Sequence, residues 1–310
     1  MARSLRIQYE GARYHVINRG NYRNDIYATE GAARSFLATV IEAVHRYGWR
    51  LHAYVIMRNH YHLAIETPRA NLTDGMRWLQ STAAARFNRY RKEHGHVFQG
   101  RYKALVLEDV AALCRVVDYI HLNPVRAGAV PAKQVGQHRW SSLRALVEKK
   151  RPEGLVCDEW LEVRGWKDNA SGIASYLEYL QDIGMDEKLQ KQQGITGLSR
   201  GWAIGTPGWK AALAREHSHQ AYSRGMGKQE VAQLREAHWW KLLEAELTKA
   251  GKSAEEFDSP KLCPEWKLEM ALALQSRGGV PVRWIAEQMK MGKPDALRSS
   301  LSRYRHRNEP

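Results

Sequence analysis

The sequence is poor in cysteine and has no long apolar run. Its three cysteines, Cys114, Cys157 and Cys263, are far apart and odd in number, which argues against a disulfide framework and against a zinc knuckle. No stretch approaches the ~18 consecutive apolar residues of a membrane-spanning helix. The N-terminus also lacks the apolar core of a secretory signal. We therefore expect a cytoplasmic protein without a membrane-embedded part.

Acidic residues are scarce relative to basic ones. The 310 residues include 48 Lys and Arg but only 33 Asp and Glu, so the formal net charge is +15. An excess of this size favours a polyanionic partner. Nucleic acid is the first candidate and an anionic membrane surface is the second. The length allows two domains that each bury a core.

The N-terminal part alternates strand-like and helical patterns. Alternating or β-branched residues predict strands at 4–10, 13–18, 49–57 and 60–67, and a short strand pair within 95–107. Apolar residues at helical spacing predict helices over 31–47 and 72–93, and a further helix that Asp109 caps. The order strand, helix, strand, strand, helix begins a ferredoxin-like split βαβ arrangement. We therefore predict an α+β domain on an antiparallel sheet.

Two histidines in the fourth of these strands form a candidate metal site. His60 and His62 are two positions apart, so a strand would point both to one side. Neutral imidazole is a common ligand for divalent ions. A structural role for the pair is the alternative. Glu66 shares the same strand face, where it could add a carboxylate ligand or form an ion pair.

A tyrosine and an asparagine further along the chain could complete this site. Tyr119 and Asn123 are four residues apart near the expected end of a helix, so they share one helical face. Pro124 should stop the helix directly after them. A phenol nucleophile and an amide oxygen would then approach the histidine pair together. A buried tyrosine with Asn123 as a C-cap is the alternative.

Four separated motifs resemble the IS200-like superfamily of single-tyrosine HUH transposases, and most closely its branch of REP-associated tyrosine transposases. The motifs are Tyr14 to Gly20, Tyr54 to His62, Phe98 to Tyr102 and Tyr119 to Gly128. They occur in the family's order over roughly the first 145 residues. The central residue of the HUH triplet is Tyr61 here, and we expect it to face the other side of the sheet.

This resemblance implies an activity and a substrate. It places the metal ligands at His60, His62 and Asn123, with Mg²⁺ or Mn²⁺ as the ion, and the nucleophile at Tyr119. The expected reaction is cleavage and strand transfer of single-stranded DNA next to palindromic hairpins, through a 5′-phosphotyrosine intermediate. A DNA enzyme of this kind would be nucleoid-associated. The resemblance leaves open whether the protein is a monomer or a dimer.

The sequence patterns divide the chain into three predicted regions. We predict an HUH transposase domain at 1–150, a helical linker or accessory region at 151–260, and a helix-turn-helix-like segment at 261–310. The last segment predicts two helices, within 282–289 and 293–304, joined by a turn that contains Gly292. A plain αα-hairpin is the alternative.

Basic and hydroxyl side chains mark candidate DNA contacts. On the predicted helix at 72–93 and in the predicted strand pair after it they are Arg77, Arg86, Arg89 and Arg101. Near the C-terminus they are Arg283, Arg298, Ser299, Ser302 and Arg303. A solvated basic face is the alternative in both places. The rival functions are a DNA-binding regulator that has lost catalysis and a hairpin-binding protein that uses only its basic surface.

Overall fold

The computed structural model describes residues 7–216, 228–258 and 263–308. These residues form two compact units, the first ending at Trp209 and the second beginning at Lys210. A mixed sheet and surrounding helices make up the first unit, and helices make up the second, so the predicted α+β class is confirmed. Among the described helices, none has the length and apolar content to cross a bilayer.

A five-stranded sheet in the order β2-β3-β1-β4-β5 forms the base of the first unit. Its strands are β1 (Ala12–Arg19), β2 (Arg50–Ile56), β3 (His60–Thr67), β4 (Lys103–Leu107) and β5 (Ala203–Ile204). The first four pair antiparallel, and β5 pairs parallel with β4. Helix α1 (Glu30–Tyr47) connects β1 to β2, and α2 (Leu72–Arg91) connects β3 to β4. This topology is the split βαβ arrangement that the sequence predicts.

Helix α1 covers one face of the sheet. Thr29 caps its N-terminus, and the buried Phe36 packs on Tyr61 of β3 with ring centroids 4.6 Å apart. Neighbouring residues on a strand face opposite sides. Since Tyr61 faces α1 as predicted, His60 and His62 lie on the other face.

Helix α3 (Val110–Arg126) covers that other face, where it contacts β2, β3 and β4. Asp109 caps it as predicted, by accepting a backbone N–H at 2.7 Å. The prediction that Pro124 ends the helix is wrong, because α3 continues to Arg126. A proline lacks an N–H and its ring crowds the carbonyl four residues before it. The last turn is nevertheless held by the bond from the Ala127 N–H to the Asn123 carbonyl, 3.0 Å.

The chain beyond residue 150 packs against α3. Four short or medium helices follow α3: α4 (Ser142–Val147), α5 (Asp158–Glu162), α6 (Ala170–Met185) and α7 (Glu187–Gln192). Trp160 of α5 and Tyr176 of α6 have ring centroids 6.1 and 5.7 Å from that of His121 on α3. The first compact unit therefore extends past residue 150, while the division of function at 150 and 260 stays a prediction.

After α8 (Pro207–Glu216), the described part of the second unit contains the α-helices α9 (Lys228–Ala250), α10 (Glu265–Gly278), α11 (Val282–Gln288) and α12 (Pro294–Asn308). Leu274, Ile285, Met289, Leu297 and Leu301 are buried in its core. The two predicted C-terminal helices are present as α11 and α12. Gly292 lies in the turn between them with φ of +79°.

Two sequence predictions of strands are wrong in the described residues. Residues 7–9 have no regular structure, whereas 4–6 lie outside the described part of the chain. The strand pair within 95–107 is reduced to β4 and a single bridge between Phe98 and Gly20. Gly95 and Gly100 adopt positive φ there, which turns the chain out of the extended conformation.

Candidate active site

The start of β3 and the C-terminal half of α3 form the candidate active site. His60 and His62 point to the same face of the sheet, with His62 buried and His60 half-buried. Tyr119 and Asn123 lie one helical turn apart on α3 and are both buried. The structure thus brings together the four residues that the sequence analysis singled out.

The Asn123 amide lies between the two imidazoles. Its Oδ1 is 3.4 Å from Nε2 of His60, and its Nδ2 is 3.3 Å from Nε2 of His62. The two imidazole ring centroids are 5.2 Å apart. The Nε2 atoms of both histidines therefore face one amide group.

A chain of hydrogen bonds fixes the proton of His60. Asn59 donates from Nδ2 to the Arg23 carbonyl at 3.2 Å, which turns Asn59 Oδ1 toward His60. That oxygen is 2.7 Å from His60 Nδ1 and can only accept, so Nδ1 carries the proton. In a neutral ring, Nε2 of His60 then has a free lone pair.

A second chain of hydrogen bonds fixes the proton of His62. His15 Nδ1 donates to the carbonyl oxygen of Leu198 at 2.9 Å. In the neutral ring, His15 Nε2 is therefore an acceptor, and it lies 2.9 Å from Nδ1 of His62. His62 thus donates from Nδ1 and keeps its Nε2 lone pair directed toward Asn123.

Burial keeps these imidazoles uncharged. It lowers the pKa of His15 to about 4. Burial also lowers the pKa of His62 well below its ordinary value, and the positive charge of Arg126 adds to this effect. The pKa of His60 is lowered by burial too, against the opposing contact with Asn123. Since neutral imidazole is the form that ligates metals, the rings are ready to bind at neutral pH.

These residues fit a divalent cation. Metal-ligating histidines usually donate their other ring N–H to a fixed acceptor, as both rings do here. The Nε2 of His60 and Oδ1 of Asn123, 3.4 Å apart, are two acceptors that face each other. A cation between them would relieve this unfavourable contact. Two nitrogen ligands and one amide oxygen also leave coordination positions open for phosphate oxygens.

Tyr119 lies beside these ligands. Its ring centroid is 5.5 Å from that of His62 and 5.6 Å from that of His15. The guanidinium carbon of Arg126 is 4.7 Å from the Tyr119 ring centroid, and the Arg126 Nη1 donates to the Ile195 carbonyl at 3.5 Å. A phenol, a positive charge and a candidate metal site therefore lie next to one another.

A protein-family model matches the part of the chain that contains these residues. Residues 8–123 match the family model described as "Transposase IS200 like". This segment is therefore similar to the IS200-like transposases. It contains β1 to β4 and α3 as far as Asn123, and hence all four site residues. We call it the transposase domain, and at this level its function is transposase-type processing of DNA.

Two solved structures are similar to the chain. One is described as a REP-associated tyrosine transposase bound to a REP hairpin, with 20% identity and a TM-score of 0.40 over 48% of this chain and 87% of that one. The other is a transposase candidate from Deinococcus radiodurans R1, with 20% identity and a TM-score of 0.29 over 35% of this chain and 88% of that one. No curated protein matches the sequence.

A second group of potential metal ligands, one histidine and two glutamates, lies on the same face of the sheet. The potential ligand atoms of His52, Glu66 and Glu159 are all within 4.8 Å of one another. Arg13 binds both carboxylates, at 3.2 Å to Glu66 and 2.5 Å to Glu159, and Arg50 is 3.4 Å from Glu66. Guanidinium groups already neutralise these carboxylates. Glu66 therefore forms the ion pairs that the sequence analysis gave as the alternative to a ligand role.

The candidate DNA contacts near α2 are mostly exposed. Arg77, Arg89 and Arg101 are exposed, and Arg77 is 3.1 Å from Asp74. Arg86 is half-buried and makes a two-pronged pair with Glu42, both bonds 2.8 Å. The Arg86 guanidinium thus holds α2 against α1. A DNA role of all four arginines stays a prediction.

The candidate DNA contacts of the second unit lie away from its core. Arg283, Arg298, Ser299, Ser302 and Arg303 are all exposed. Three of them make local contacts within α12: Arg298 with Asp295 at 2.5 Å, the Ser299 hydroxyl with the Asp295 carbonyl at 3.2 Å, and Arg303 Nε with the Ser299 carbonyl at 3.4 Å. Their role in DNA binding stays a prediction.

Sequence reasoning missed three groups at this site. The sequence analysis gave His15 no role, although it lies on β1, the strand that pairs with β3. Arg126 lies within the motif Tyr119 to Gly128, but the sequence analysis gave it no role. The Leu198 carbonyl gives no sequence signal at all, since any residue supplies the same backbone group.

Proposed function

We propose that the protein is a metal-dependent endonuclease and strand transferase for single-stranded DNA, in which Tyr119 forms a 5′-phosphotyrosine link. One observation carries the proposal: the Nε2 lone pairs of His60 and His62 converge on Asn123, beside the Tyr119 ring. Neutral ligands next to an oxygen nucleophile suit phosphodiester chemistry better than a purely structural histidine pair.

The proposed cofactor is Mg²⁺ or Mn²⁺, held by His60, His62 and Asn123. When bound, such an ion would polarise a phosphodiester oxygen and help to hold the scissile bond in line with the nucleophile. Mg²⁺ prefers oxygen ligands. Two imidazole ligands therefore favour weak, exchangeable binding and higher activity with Mn²⁺.

The chain's own residues perform the bond exchange. The Tyr119 oxygen forms a bond to phosphorus, and the bond between phosphorus and the 3′ oxygen breaks. The phenol proton leaves to water, and the 3′ oxygen departs as a 3′-OH after taking up a proton. Attack by a 3′-OH on the phosphotyrosine reverses these changes without ATP. Arg126 stabilises the negative charge that develops in the transition state beside the Tyr119 ring.

The proposed substrate is single-stranded DNA that contains palindromic hairpins of the REP type. The four sequence motifs and the net charge of +15 support this choice. Three exposed basic residues lie between His62 and Tyr119 in the sequence: Arg77, Arg89 and Arg101. Helices α11 and α12 offer a second basic surface with helix-turn-helix order.

A DNA-binding regulator without catalysis is the second candidate. The observation that favours it is the exposed set of Arg298, Ser299, Ser302 and Arg303 on one helix of the second unit. The two candidates differ in one product: only the enzyme leaves a DNA strand attached to protein.

The test is a covalent capture assay on the full chain. Hairpin-containing single-stranded DNA, labelled at its 3′ end, is incubated with the protein and Mn²⁺ and then run on a denaturing gel. We expect a labelled band at the mass of protein plus DNA. Tyr119→Phe should abolish this band and retain hairpin affinity, because it removes only the nucleophilic oxygen.

Tyr54→Phe is the matched control, since Tyr54 is a buried tyrosine on β2 whose partner in β3 is Leu63, on the face away from the site. It should leave the covalent band intact. Cleavage that survives in Tyr119→Phe would exclude Tyr119 as nucleophile. Hairpin binding by the wild type with no covalent band in Mn²⁺ would favour the regulator.

A further inference from the structure

His15 is a buried histidine that touches the site without belonging to the ligand set. It lies on β1, is fully buried, and its two ring nitrogens each contact one group: the Leu198 carbonyl and Nδ1 of His62. The rings of His15 and His62 stack with centroids 5.1 Å apart and an interplanar angle of 29°. His15 therefore restrains both the proton and the plane of the His62 ring.

The proton position matters because only an unprotonated nitrogen can bind a metal. A neutral imidazole carries its proton on either Nδ1 or Nε2. If His62 carried it on Nε2, the nitrogen that faces His60 and Asn123 would be blocked. His15 offers an acceptor on the opposite side of the ring and so selects the Nδ1–H form.

The segment that orients His15 lies outside the transposase domain. Ile195 and Leu198 follow α7 and are separated from His15 by 180 residues or more. The Leu198 carbonyl binds His15, and the Ile195 carbonyl binds Arg126, whose guanidinium lies over the Tyr119 ring. One backbone segment thus contacts the supports of both the ligand and the nucleophile.

We infer that His15 is a positioning residue for His62, and that the segment 195–198 fixes its tautomer through the Leu198 carbonyl. The inference rests on the proposed function, in which His62 ligates the metal. It assigns a role in the active site to a part of the chain that the family match does not include.

The competing explanation is that His15 only fills space in the core. His121 provides the matched comparison, since it is equally buried and also makes two hydrogen bonds, to Tyr176 at 2.8 Å and to Ser142 at 2.7 Å. Neither of its partners is a site residue. Loss of a merely structural histidine should affect stability alike at both positions and metal affinity at neither.

The experiment measures Mn²⁺ affinity of the full chain without DNA, by titration followed with electron paramagnetic resonance. His15→Phe keeps a ring but removes the acceptor, so we expect Mn²⁺ binding about 10- to 100-fold weaker, the usual effect of losing such a partner. His15→Gln retains an acceptor oxygen and should recover most of the affinity. His121→Phe should bind Mn²⁺ as the wild type does. Equal affinity of folded His15→Phe and wild type would overturn the inference.

Nitrogen-15 spectra of the histidines give a readout that does not depend on the His15 variants folding. With the His62 signals assigned by their loss in His62→Ala, the wild type should show His62 protonated on Nδ1. Protonation of wild-type His62 on Nε2 would overturn the inference even if His15→Phe fails to fold.

The outcomes separate this inference from the proposed function. A wild type that binds Mn²⁺ but leaves no covalent DNA band contradicts the proposed reaction and leaves the positioning role supported by the affinity series. A wild type that forms the band while His15→Phe binds Mn²⁺ unchanged contradicts the positioning role alone. Absence of Mn²⁺ binding by the wild type would overturn both.

Discussion

Two groups of potential metal ligands on one face of the sheet differ in how their charges are balanced. At the start of β3, His60 and His62 face the neutral amide of Asn123. Near the end of the same strand, Glu66 and its neighbours are held by two arginines. The four residues from His62 to Glu66 span roughly 13 Å along the strand.

The comparison shows that the number of potential ligands does not identify a metal site. The cluster of His52, Glu66 and Glu159 contains the harder, charged oxygen ligands, yet Arg13 and Arg50 already satisfy them. The neutral cluster has lone pairs that face each other instead. An incoming cation would compete with two guanidinium groups in the first cluster. In the second it would displace only the neutral Asn123 Nδ2–H from Nε2 of His62.

The strongest test of this difference is a pair of substitutions on β3. His62→Ala should reduce DNA cleavage by about a thousand-fold or more, since it removes a ligand of the ion proposed to stabilise the transition state. Glu66→Gln should leave cleavage close to the wild-type rate. Single-turnover gel assays in Mn²⁺ measure both. A strong cleavage defect in folded Glu66→Gln would reverse the assignment of the two clusters.

A second substitution tests the charge beside the nucleophile. Arg126→Gln should lower the cleavage rate by about 10²- to 10³-fold, the usual cost of losing one preorganised group that stabilises transition-state charge. Mn²⁺ affinity should change little, because Arg126 is not a ligand. Arg126→Lys retains the charge and should be less impaired. Equal loss of Mn²⁺ affinity and cleavage would show instead that Arg126 supports the ligands.

Substitutions at Glu66, which pairs with Arg13 and Arg50, should change protein stability rather than activity. The neighbouring His52 imidazole, together with Arg50 and Arg13, holds the pKa of Glu66 at about 2, against the opposing effect of burial. Because this value lies below that of an unfolded glutamate, about 4.3, the stabilisation is complete above that pH and is lost as the pH falls toward 2. Glu66→Gln should lower the free energy of unfolding by about 1–3 kcal/mol at pH 7. It should also reduce the loss of stability as the pH falls, in denaturation curves measured at a series of acidic pH values. A loss of stability with falling pH equal to that of the wild type would contradict the folded-state pKa.

How much of this site the sequence could predict depends on the range of the interactions. Strand alternation placed His60 and His62 together, and helical spacing placed Tyr119 with Asn123, because both rules act over a few residues. The bond from His15 to Leu198 crosses 183 residues and ends on a backbone carbonyl, so no pattern of residue types encodes it. Arg86 shows the same limit, since its pairing with Glu42, 44 residues away, is invisible to a helical-face argument.

The smallest expected effect concerns the second unit. Arg303→Gln should weaken hairpin binding a few-fold and reduce the slope of log affinity against log salt by about one, as expected for one lost phosphate contact. Catalysis on a saturating short oligonucleotide should be unchanged. Lys252→Gln is the control, since Lys252 is a basic residue of the same unit, paired with Glu256 at 2.7 Å. An identical salt slope for Arg303→Gln and wild type would remove Arg303 from the DNA surface.

Helix α3 carries Tyr119, Asn123 and Arg126 on one rigid body. A tilt of this helix away from β3 would separate a DNA end attached to Tyr119 from both imidazoles in the same movement. Resealing would then have to wait until the tyrosine, the amide and the guanidinium returned as a group. The moment at which strands are exchanged would thereby be set by the docking of a single helix.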